Sequence, residues 1–231
     1  MNPRSLGERR QRAPRGSGEQ LHDEILDAAT DLLLETGSVK EVSIRSVAER
    51  VGVTPPSIYL HFTDKDALLD AVCARYYERL HTKMKQAAEG QSTTLDVLRA
   101  QGLAYVRFAI DTPELYRIAT MGEGRPGSDV DATLASSAFV HLRETVQALM
   151  TEGIYPPGDA TAVTLQLWST AHGVAALLVA KPYLPFGEPL EFADNVMRAF
   201  CTGQIVIGLI GTEATVQDTL DWVIENKGVR Q

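Results

Sequence analysis

The segment from Ser43 to Phe62, SIRSVAERVGVTPPSIYLHF, decides the fold of the N-terminal part of this chain. Its first half has the i, i+3, i+4, i+7 apolar spacing of a short amphipathic helix, at Ile44, Val47, Ala48 and Val51. Ser43 is a favoured N-cap residue, and Gly52 suits the C-terminal end because glycine adopts positive φ without strain. The pattern predicts a helix of about two turns between them.

A second short helix is predicted directly after this one. Thr54 is an N-cap residue type, and Pro55 and Pro56 fall at the first helical positions, where a missing N–H costs nothing. This helix is predicted to end near Phe62, and Thr63 is predicted to open the next helix through a capping pattern with Asp66. Two short helices joined by a glycine turn meet the physical requirements of a helix-turn-helix.

The second helix has one polar face, formed by Thr54, Ser57, Tyr59 and His61. These side chains can hydrogen-bond to phosphates or to base edges, whereas Ile58 and Phe62 are predicted to point inward. An ordinary helical hairpin within a bundle has the same pattern. Spacing alone therefore favours DNA binding and leaves the plain hairpin open.

Outside this segment the apolar periodicity is helical, and no stretch alternates as a β-strand does. Helices are predicted at about 20–36, 63–89, 93–111, 113–120, 129–153, 159–181, 189–211 and 214–227. Their start signals are Thr93 with Asp96, Thr112 before Pro113, Ser128 with Asp131, and Thr212 before an acidic residue. The sequence predicts an all-α protein.

Composition limits the class of protein. The 231 residues are 44% hydrophobic and 23% charged, which suits a buried core and excludes a disordered or fibrous chain. The net charge of -8 excludes coating of nucleic acid by bulk charge and leaves room for a local basic site. Uninterrupted apolar runs are shorter than the roughly 18 residues of a membrane span. With no signal-peptide core, we expect a cytoplasmic protein with reduced thiols at Cys73 and Cys201.

Residues 1–18 are predicted to form a disordered basic tail. They contain Arg4, Arg9, Arg10, Arg12 and Arg15, together with proline and glycine, and have no apolar periodicity. Such a tail either adds phosphate contacts beside a DNA site or only improves solubility.

A longer set of positions carries a family resemblance. It consists of Ile25-Leu26-x-Ala28-Ala29, Leu32-Leu33-x-x-x-Gly37, Val42-Ser43-Ile44-Arg45-x-Val47-Ala48-x-x-Val51-Gly52-Val53-Thr54 and Ser57-Ile58-Tyr59-x-His61-Phe62-x-x-Lys65-x-x-Leu68-Leu69. In these positions, between Leu21 and Val72, the chain resembles the TetR family of bacterial transcriptional regulators. It departs from the family at Pro55-Pro56, where many members have a small or polar residue and then glycine.

The resemblance implies a helix-turn-helix DNA-binding domain at 19–66, joined by the fourth helix to an effector-binding and dimerisation domain at 67–231. At the start of the second helix, the cap at Ser43 suits a phosphate, and Arg45 reaches a guanine edge or a phosphate. The third helix faces the major groove, where prolines contact thymine methyl groups. The DNA-contacting residues implied are Ser43, Arg45, Thr54, Pro55, Pro56, Ser57, Tyr59, His61 and Lys65.

The C-terminal part is expected to form a homodimer, because one helix-turn-helix reads too few base pairs for useful specificity. The predicted helices 159–181 and 189–211 are apolar around most of their circumference and contain the small residues Gly173, Ala175, Ala176, Gly203 and Gly208. They form either the interface or the monomer core. The resemblance favours the interface, since two C-terminal helices of TetR-like proteins pair with those of the partner.

A small-molecule site is expected in the same part of the chain. Leu167-Trp168-x-x-x-His172-Gly173 resembles the Trp…His-Gly signature of one TetR subfamily, and His172 either binds a ligand or satisfies a buried carbonyl. Aromatic residues at helical spacing line a cavity or simply fill a core. The candidate lining residues are Tyr105, Phe108, Tyr116, Met121, Phe139, Trp168 and His172.

No catalytic motif is found. Gly122-x-Gly124-x-x-Gly127 has the letters of a dinucleotide fingerprint, but it follows a helix and contains Pro126. The histidines lack metal-binding spacing, so we expect no metal, no cofactor and no enzyme. The hypothesis is a repressor that binds a palindromic operator as a dimer and is released by a small apolar effector. A helical enzyme or lipid carrier, or a regulator without an effector, are the alternatives.

Overall fold

The computed structural model describes residues 17–121 and 138–227. Within these residues the chain forms α-helices and no strand, which confirms the predicted all-α class. The helices are α1 Ser17–Thr36, α2 Ile44–Val51, α3 Pro55–Tyr59, α4 Lys65–Ala88, α5 Thr94–Asp111, α6 Pro113–Met121, α7 Ala138–Thr151, α8 Ala160–Ala180, α9 Pro189–Ile210 and α10 Val216–Asn226.

The described residues fall into two compact units, and α4 contributes its first half to one and its second half to the other. The first unit contains α1, α2, α3, α4 as far as Tyr76, and α6 from Glu114. Its core consists of apolar side chains with no solvent exposure, including Ile25, Ala29, Leu33, Val42, Val47, Ile58 and Leu68. Arg50 donates two hydrogen bonds to Glu35, at 2.7 and 2.5 Å, and so joins α2 to α1.

The second unit contains α4 from Tyr77, α5, and α7 to α10. Helix α5 is its central element, because it packs against α7, α8 and α9. The core of this unit is formed by Leu98, Leu142, Val146, Leu149, Met150, Tyr155, Ala160 and Leu167. Helix α10 packs on α9 and has no buried residue.

Helix α8 is long and apolar enough to cross a membrane by length and composition. It packs against α5, α7 and α9. A single helix of this kind is weak evidence for a membrane span, because core helices of soluble proteins pass the same test.

Three predicted helix boundaries are wrong. Helix α3 ends at Tyr59 rather than near Phe62, because the carbonyl of Ile58 accepts the N–H groups of both His61 and Phe62 in a closing turn. Helix α4 is capped by Asp64, whose carboxylate accepts the N–H of Ala67 at 2.8 Å, and not by Thr63. Helix α10 is capped by Thr215 with Asp218, not by Thr212.

The remaining differences concern the ends of helices. Helix α1 begins at Ser17, earlier than predicted, and most of the predicted tail lies outside the described residues. Helix α7 begins at Ala138 in the described part of the chain and ends at Thr151. The predicted start near residue 129 and the Gly122 loop lie outside the described residues.

Candidate nucleic-acid interface and interior site

The N-terminus of α2 is held by a reciprocal capping box. The Ser43 hydroxyl accepts the N–H of Ser46 at 3.1 Å, and the Ser46 hydroxyl accepts the N–H of Ser43 at 2.9 Å. Val47 and Ala48 are buried, whereas Ser43 and Arg45 are exposed. The helix therefore presents a polar, positively polarised end to solvent, as a phosphate partner requires.

Gly52 makes the turn between α2 and α3. Its φ is 78°, in the left-handed region, and its N–H and that of Val53 both donate to the carbonyl of Ala48, at 3.0 and 2.9 Å. A residue with a Cβ is strained in this conformation, so the prediction of a glycine turn is confirmed for a physical reason. The turn fixes the direction in which α3 leaves α2.

Helix α3 buries one side and exposes the other. Ile58 is fully buried and Phe62 nearly so, as predicted, while Thr54, Pro55 and Pro56 are exposed. Thr54 precedes the helix, but its hydroxyl makes no capping bond. The Thr54 hydroxyl lies 3.2 Å from the Ser57 hydroxyl instead. Pro56 has no N–H, and the Ser57 N–H donates to the carbonyl of Thr54 at 2.8 Å.

Two large side chains at the end of α3 are open to solvent. Tyr59 is 54% exposed and Leu60 is 85% exposed. Leu60 was not predicted as a site residue, although its position one turn after Pro56 places both on the outward face. An exposed leucine in this position can contact a thymine methyl group.

His61 and Lys65 make contacts within the first unit. The rings of His61 and His22 meet edge to face at 6.0 Å between centroids, and His22 stacks on Phe62 at 4.9 Å. The Lys65 ammonium donates to the carbonyl of Val39 at 2.6 Å. His61 and Lys65 therefore have structural roles that the sequence pattern did not indicate. Their phosphate contacts remain predictions.

An interior hydrogen bond joins α5 to α8 in the second unit. Tyr105 Oη lies 3.0 Å from Nδ1 of His172, and the Trp168 ring lies 5.3 Å from the His172 ring. Burial lowers the pKa of His172, which favours the neutral imidazole. Tyr105 and Trp168, two of the predicted lining residues, are thereby brought to a third, His172.

The other predicted lining residues are placed less specifically. Phe108 and Phe139 are half-buried in the second unit. Tyr116 is fully buried in the first unit, where it packs as core. The Met121 side chain lies outside the described part of the structure.

Gln101 is a buried residue that sequence reasoning missed. It has no solvent exposure, and neither Oε1 nor Nε2 has a hydrogen-bond partner in the structure. Leaving such a group unsatisfied costs about 1–3 kcal/mol. Its position in the sequence contained a signal, because Leu98, Gln101 and Tyr105 share the buried face of α5.

Helix α8 also has an uncharged exposed face. Its members recur with helical spacing at Ala162, Leu165, Ser169, Gly173, Leu177 and Ala180, and we call them the α8 stripe. Leu165 and Leu177 are 47% and 49% exposed. A Cβ built on Gly173 or on Gly203 meets no atom within 4 Å, whereas one on Gly208 meets Pro156 at 3.2 Å. Gly208 therefore packs within the chain.

The thiols and histidines form no reactive centre. Cys73 and Cys201 are free, and burial raises the pKa of Cys73 to about 11 and raises that of Cys201. The ring centroids of His81 and His141 are 5.6 Å apart. Among the described residues, however, no group of three or more side chains could hold a metal ion.

Two family models match the chain. The model described as "Bacterial regulatory proteins, tetR family" matches residues 25–72, and "Tetracyclin repressor-like, C-terminal domain" matches residues 98–200. The first includes all of α2 and α3, and the second includes α5 from Leu98 and all of α8.

Individual proteins agree with these matches. An uncharacterized HTH-type transcriptional regulator, YobS of Bacillus subtilis (strain 168), is 26% identical over 79% of this chain and 91% of that protein. Tetracycline repressor protein class A from transposon 1721 of Escherichia coli is 29% identical over 58% of this chain and 62% of that protein. A solved structure of a protein with unknown function from Rhodococcus sp. RHA1 covers 85% of this chain and 100% of its own, at 28% identity and a TM-score of 0.73.

These findings settle the class of protein. TetR-family proteins are DNA-binding regulators of transcription rather than enzymes, and they bind DNA as dimers. The prediction that this chain is not an enzyme is thereby confirmed, and the helical-enzyme alternative is set aside. The chain belongs to the TetR family of bacterial transcriptional regulators.

Proposed function

We propose that this protein is a cytoplasmic repressor that binds a palindromic operator as a homodimer and leaves it when a small effector binds in the second unit. The observation that carries the proposal is the α2–Gly52–α3 arrangement. Val47, Ala48 and Ile58 are buried, and the polar N-terminus of α2 and the outer side of α3 are left exposed. An exposed surface of this kind suits a DNA groove.

In this proposal 19–66 is the DNA-binding domain, and α3 lies in the major groove. Thr54, Pro55, Pro56 and Ser57 lie nearest the bases, and the prolines, having no N–H, supply apolar contact to thymine methyl groups. The other candidates contact phosphates, and Arg45 contacts either a phosphate or a guanine edge. These candidates are Ser43, Arg45, Tyr59, His61 and Lys65. Phosphate contacts position the helix, and base contacts give specificity.

The homodimer is proposed to form through α8 and α9. The α8 stripe supports this, because its members are exposed, small or apolar, and uncharged. Gly173 and Gly203 have open space beyond them and allow two helices to approach closely. Two copies of α3 then contact successive major grooves about 34–36 Å apart on one side of the DNA.

Release by an effector is proposed to act through α4, which contributes half of its length to each unit. An effector that binds better to a conformation with the wrong half-site spacing shifts the population toward it. A hundredfold loss of operator affinity requires only about 2.7 kcal/mol of differential binding. The proposed effector site is formed by the residues around His172. Residues 67–231 are the proposed effector-binding and dimerisation domain.

The test of DNA binding compares two single arginine substitutions. Arg45→Ala removes an exposed cation at the start of α2, and Arg143→Ala removes an exposed cation from α7 in the second unit. Operator affinity is measured by fluorescence anisotropy between about 50 and 200 mM salt. We expect Arg45→Ala to weaken binding and to reduce the salt slope by about one, and Arg143→Ala to change neither.

Equal operator affinity and equal salt slope for Arg45→Ala and the unchanged protein would contradict the proposed docking. Lys65→Ala is a poorer choice, because the Lys65 ammonium also donates to the carbonyl of Val39, and the substitution removes this internal contact together with the cation. Circular dichroism of each variant confirms that the helices are retained.

A further inference from the structure

Gln101 differs from the two buried threonines of the second unit. Thr145 and Thr164 are buried as well, but each hydroxyl donates to a backbone carbonyl of its own helix, at 3.2 Å to His141 and at 2.7 Å to Ala160. The Gln101 amide has neither its donor nor its acceptor satisfied. A buried amide in this state has a hydrogen-bonding requirement that only a bound molecule or a water can meet.

The surroundings of Gln101 suggest a binding position rather than a packing error. It lies on the buried face of α5, one turn before Tyr105, whose hydroxyl lies 3.0 Å from Nδ1 of His172. Its neighbour Gly102 lies against Met197 of α9, so that an added Cβ would meet the Met197 sulfur at 2.8 Å. The face therefore combines close apolar packing with two uncharged polar groups.

Charge restricts what can occupy this position. No Lys, Arg, Asp or Glu side chain is buried in the described part of the chain, so a charged ligand would find no buried partner. A carboxamide offers one acceptor oxygen and two N–H donors. The best complement is an uncharged group that both donates and accepts.

We propose that Gln101 is the hydrogen-bonding anchor of the effector site, and that the effector is an uncharged, mainly apolar molecule with one carboxamide or hydroxyl group. The inference rests on the proposed function, because it assigns the bound molecule to the effector site. Binding to Gln101 is nevertheless measurable without DNA, so the two proposals can fail separately.

The test uses four probes of equal chain length and the full chain. Octanamide and octan-1-ol both donate and accept, methyl octanoate only accepts, and octanoate is charged. Binding is measured by isothermal titration calorimetry and by the rise in Tm. We expect octanamide and octan-1-ol to bind, methyl octanoate to bind more weakly, and octanoate to bind least.

The matched variants are Gln101→Met and Thr164→Val. Gln101→Met replaces the amide with an apolar side chain of similar length, and Thr164→Val removes a buried hydroxyl that the chain already satisfies. We expect Gln101→Met to lower octanamide affinity at least tenfold and to raise the Tm of the free protein. Thr164→Val should leave octanamide affinity unchanged.

Three results would overturn the proposal: no binding of any probe, tighter binding of octanoate than of octanamide, or equal octanamide affinity in Gln101→Met. A raised Tm in Gln101→Met with undiminished octanamide binding would show that the Gln101 amide binds an interior water and not the effector. If Gln101→Met does not fold, the order of the four probes on the unchanged protein decides. Operator binding without probe, measured in parallel, tests the proposed function separately.

Discussion

Tyr105 Oη lies 3.0 Å from Nδ1 of His172 and joins α5 to α8 across the interior of the second unit. Burial lowers the pKa of His172, so the imidazole in this pair is neutral, whichever of the two groups supplies the proton. A neutral histidine beside a phenol and the Trp168 ring forms a polar point in the interior of the second unit. The pair is therefore sensitive to pH.

The His172 pair predicts that stability falls in acid. The folded pKa of His172 lies below its value of about 6.5 in the unfolded chain, so the unfolded state binds the proton more tightly. The contribution of neutral His172 to the free energy of unfolding is complete above about pH 6.5. It is lost as the pH falls through the folded pKa of His172. Urea unfolding at pH 7.5, 6.5 and 5.5 should show a steeper loss for the unchanged protein than for His172→Gln. Parallel pH profiles would contradict this assignment.

The capping box predicts that stability and DNA binding can be separated at Ser43. Ser43→Ala removes the acceptor of the Ser46 N–H and should lower the free energy of unfolding by about 1 kcal/mol. Ser43→Asp keeps a capping acceptor but places a negative charge near the expected phosphate. We expect it to retain stability and to weaken operator binding about fivefold, since like charges repel.

Denaturant unfolding and anisotropy titrations measure the two effects. Undiminished operator affinity in Ser43→Asp would show that no phosphate lies at the N-terminus of α2.

The turn between α2 and α3 predicts a specific cost at Gly52. Alanine at φ 78° is strained, so Gly52→Ala should lower the free energy of unfolding by about 1–2 kcal/mol. Gly18→Ala, in α1 with open space around the added methyl group, is the control and should leave stability unchanged or slightly higher. Equal free energies of unfolding for the two variants, measured by urea unfolding, would show that the turn does not require glycine at position 52.

The α8 stripe predicts the oligomeric state. Leu177→Arg places a charge within the α8 stripe of the proposed interface and should give a monomer by light scattering after gel filtration. Leu34→Arg, at a position 45% exposed on α1, is the matched control and should remain a dimer. A dimeric Leu177→Arg protein would exclude the α8 stripe as the interface.

Local patterns predicted the helix-turn-helix well. The capping residue Ser43, the apolar spacing of α2 and the glycine turn are short-range features, and each has a direct backbone consequence in the structure. The misplaced caps of α4 and α10 show the limit of such patterns, because adjacent residues compete for the same free N–H groups. Asp64 and Thr215 are the residues that bind them.

Long-range contacts could not be predicted in this way. Lys65 was assigned to a phosphate from its position at a helix start, yet its ammonium reaches the carbonyl of Val39, far away in the sequence. The orphaned amide of Gln101 depends on what α7, α8 and α9 place around α5, which no periodicity specifies. The pairing of Tyr105 with His172 has the same origin, since sequence reasoning assigned both to one site but gave no contact between them.

Sequence-specific DNA binding by a dimer is the core of the proposed function. Selection of bound sequences from a random DNA pool, followed by titration of the selected site at about 50 and 200 mM salt, tests it most directly. We expect a palindromic sequence, two protomers per site and a steep loss of affinity with salt. Folded, ligand-free protein that enriches no sequence would contradict it.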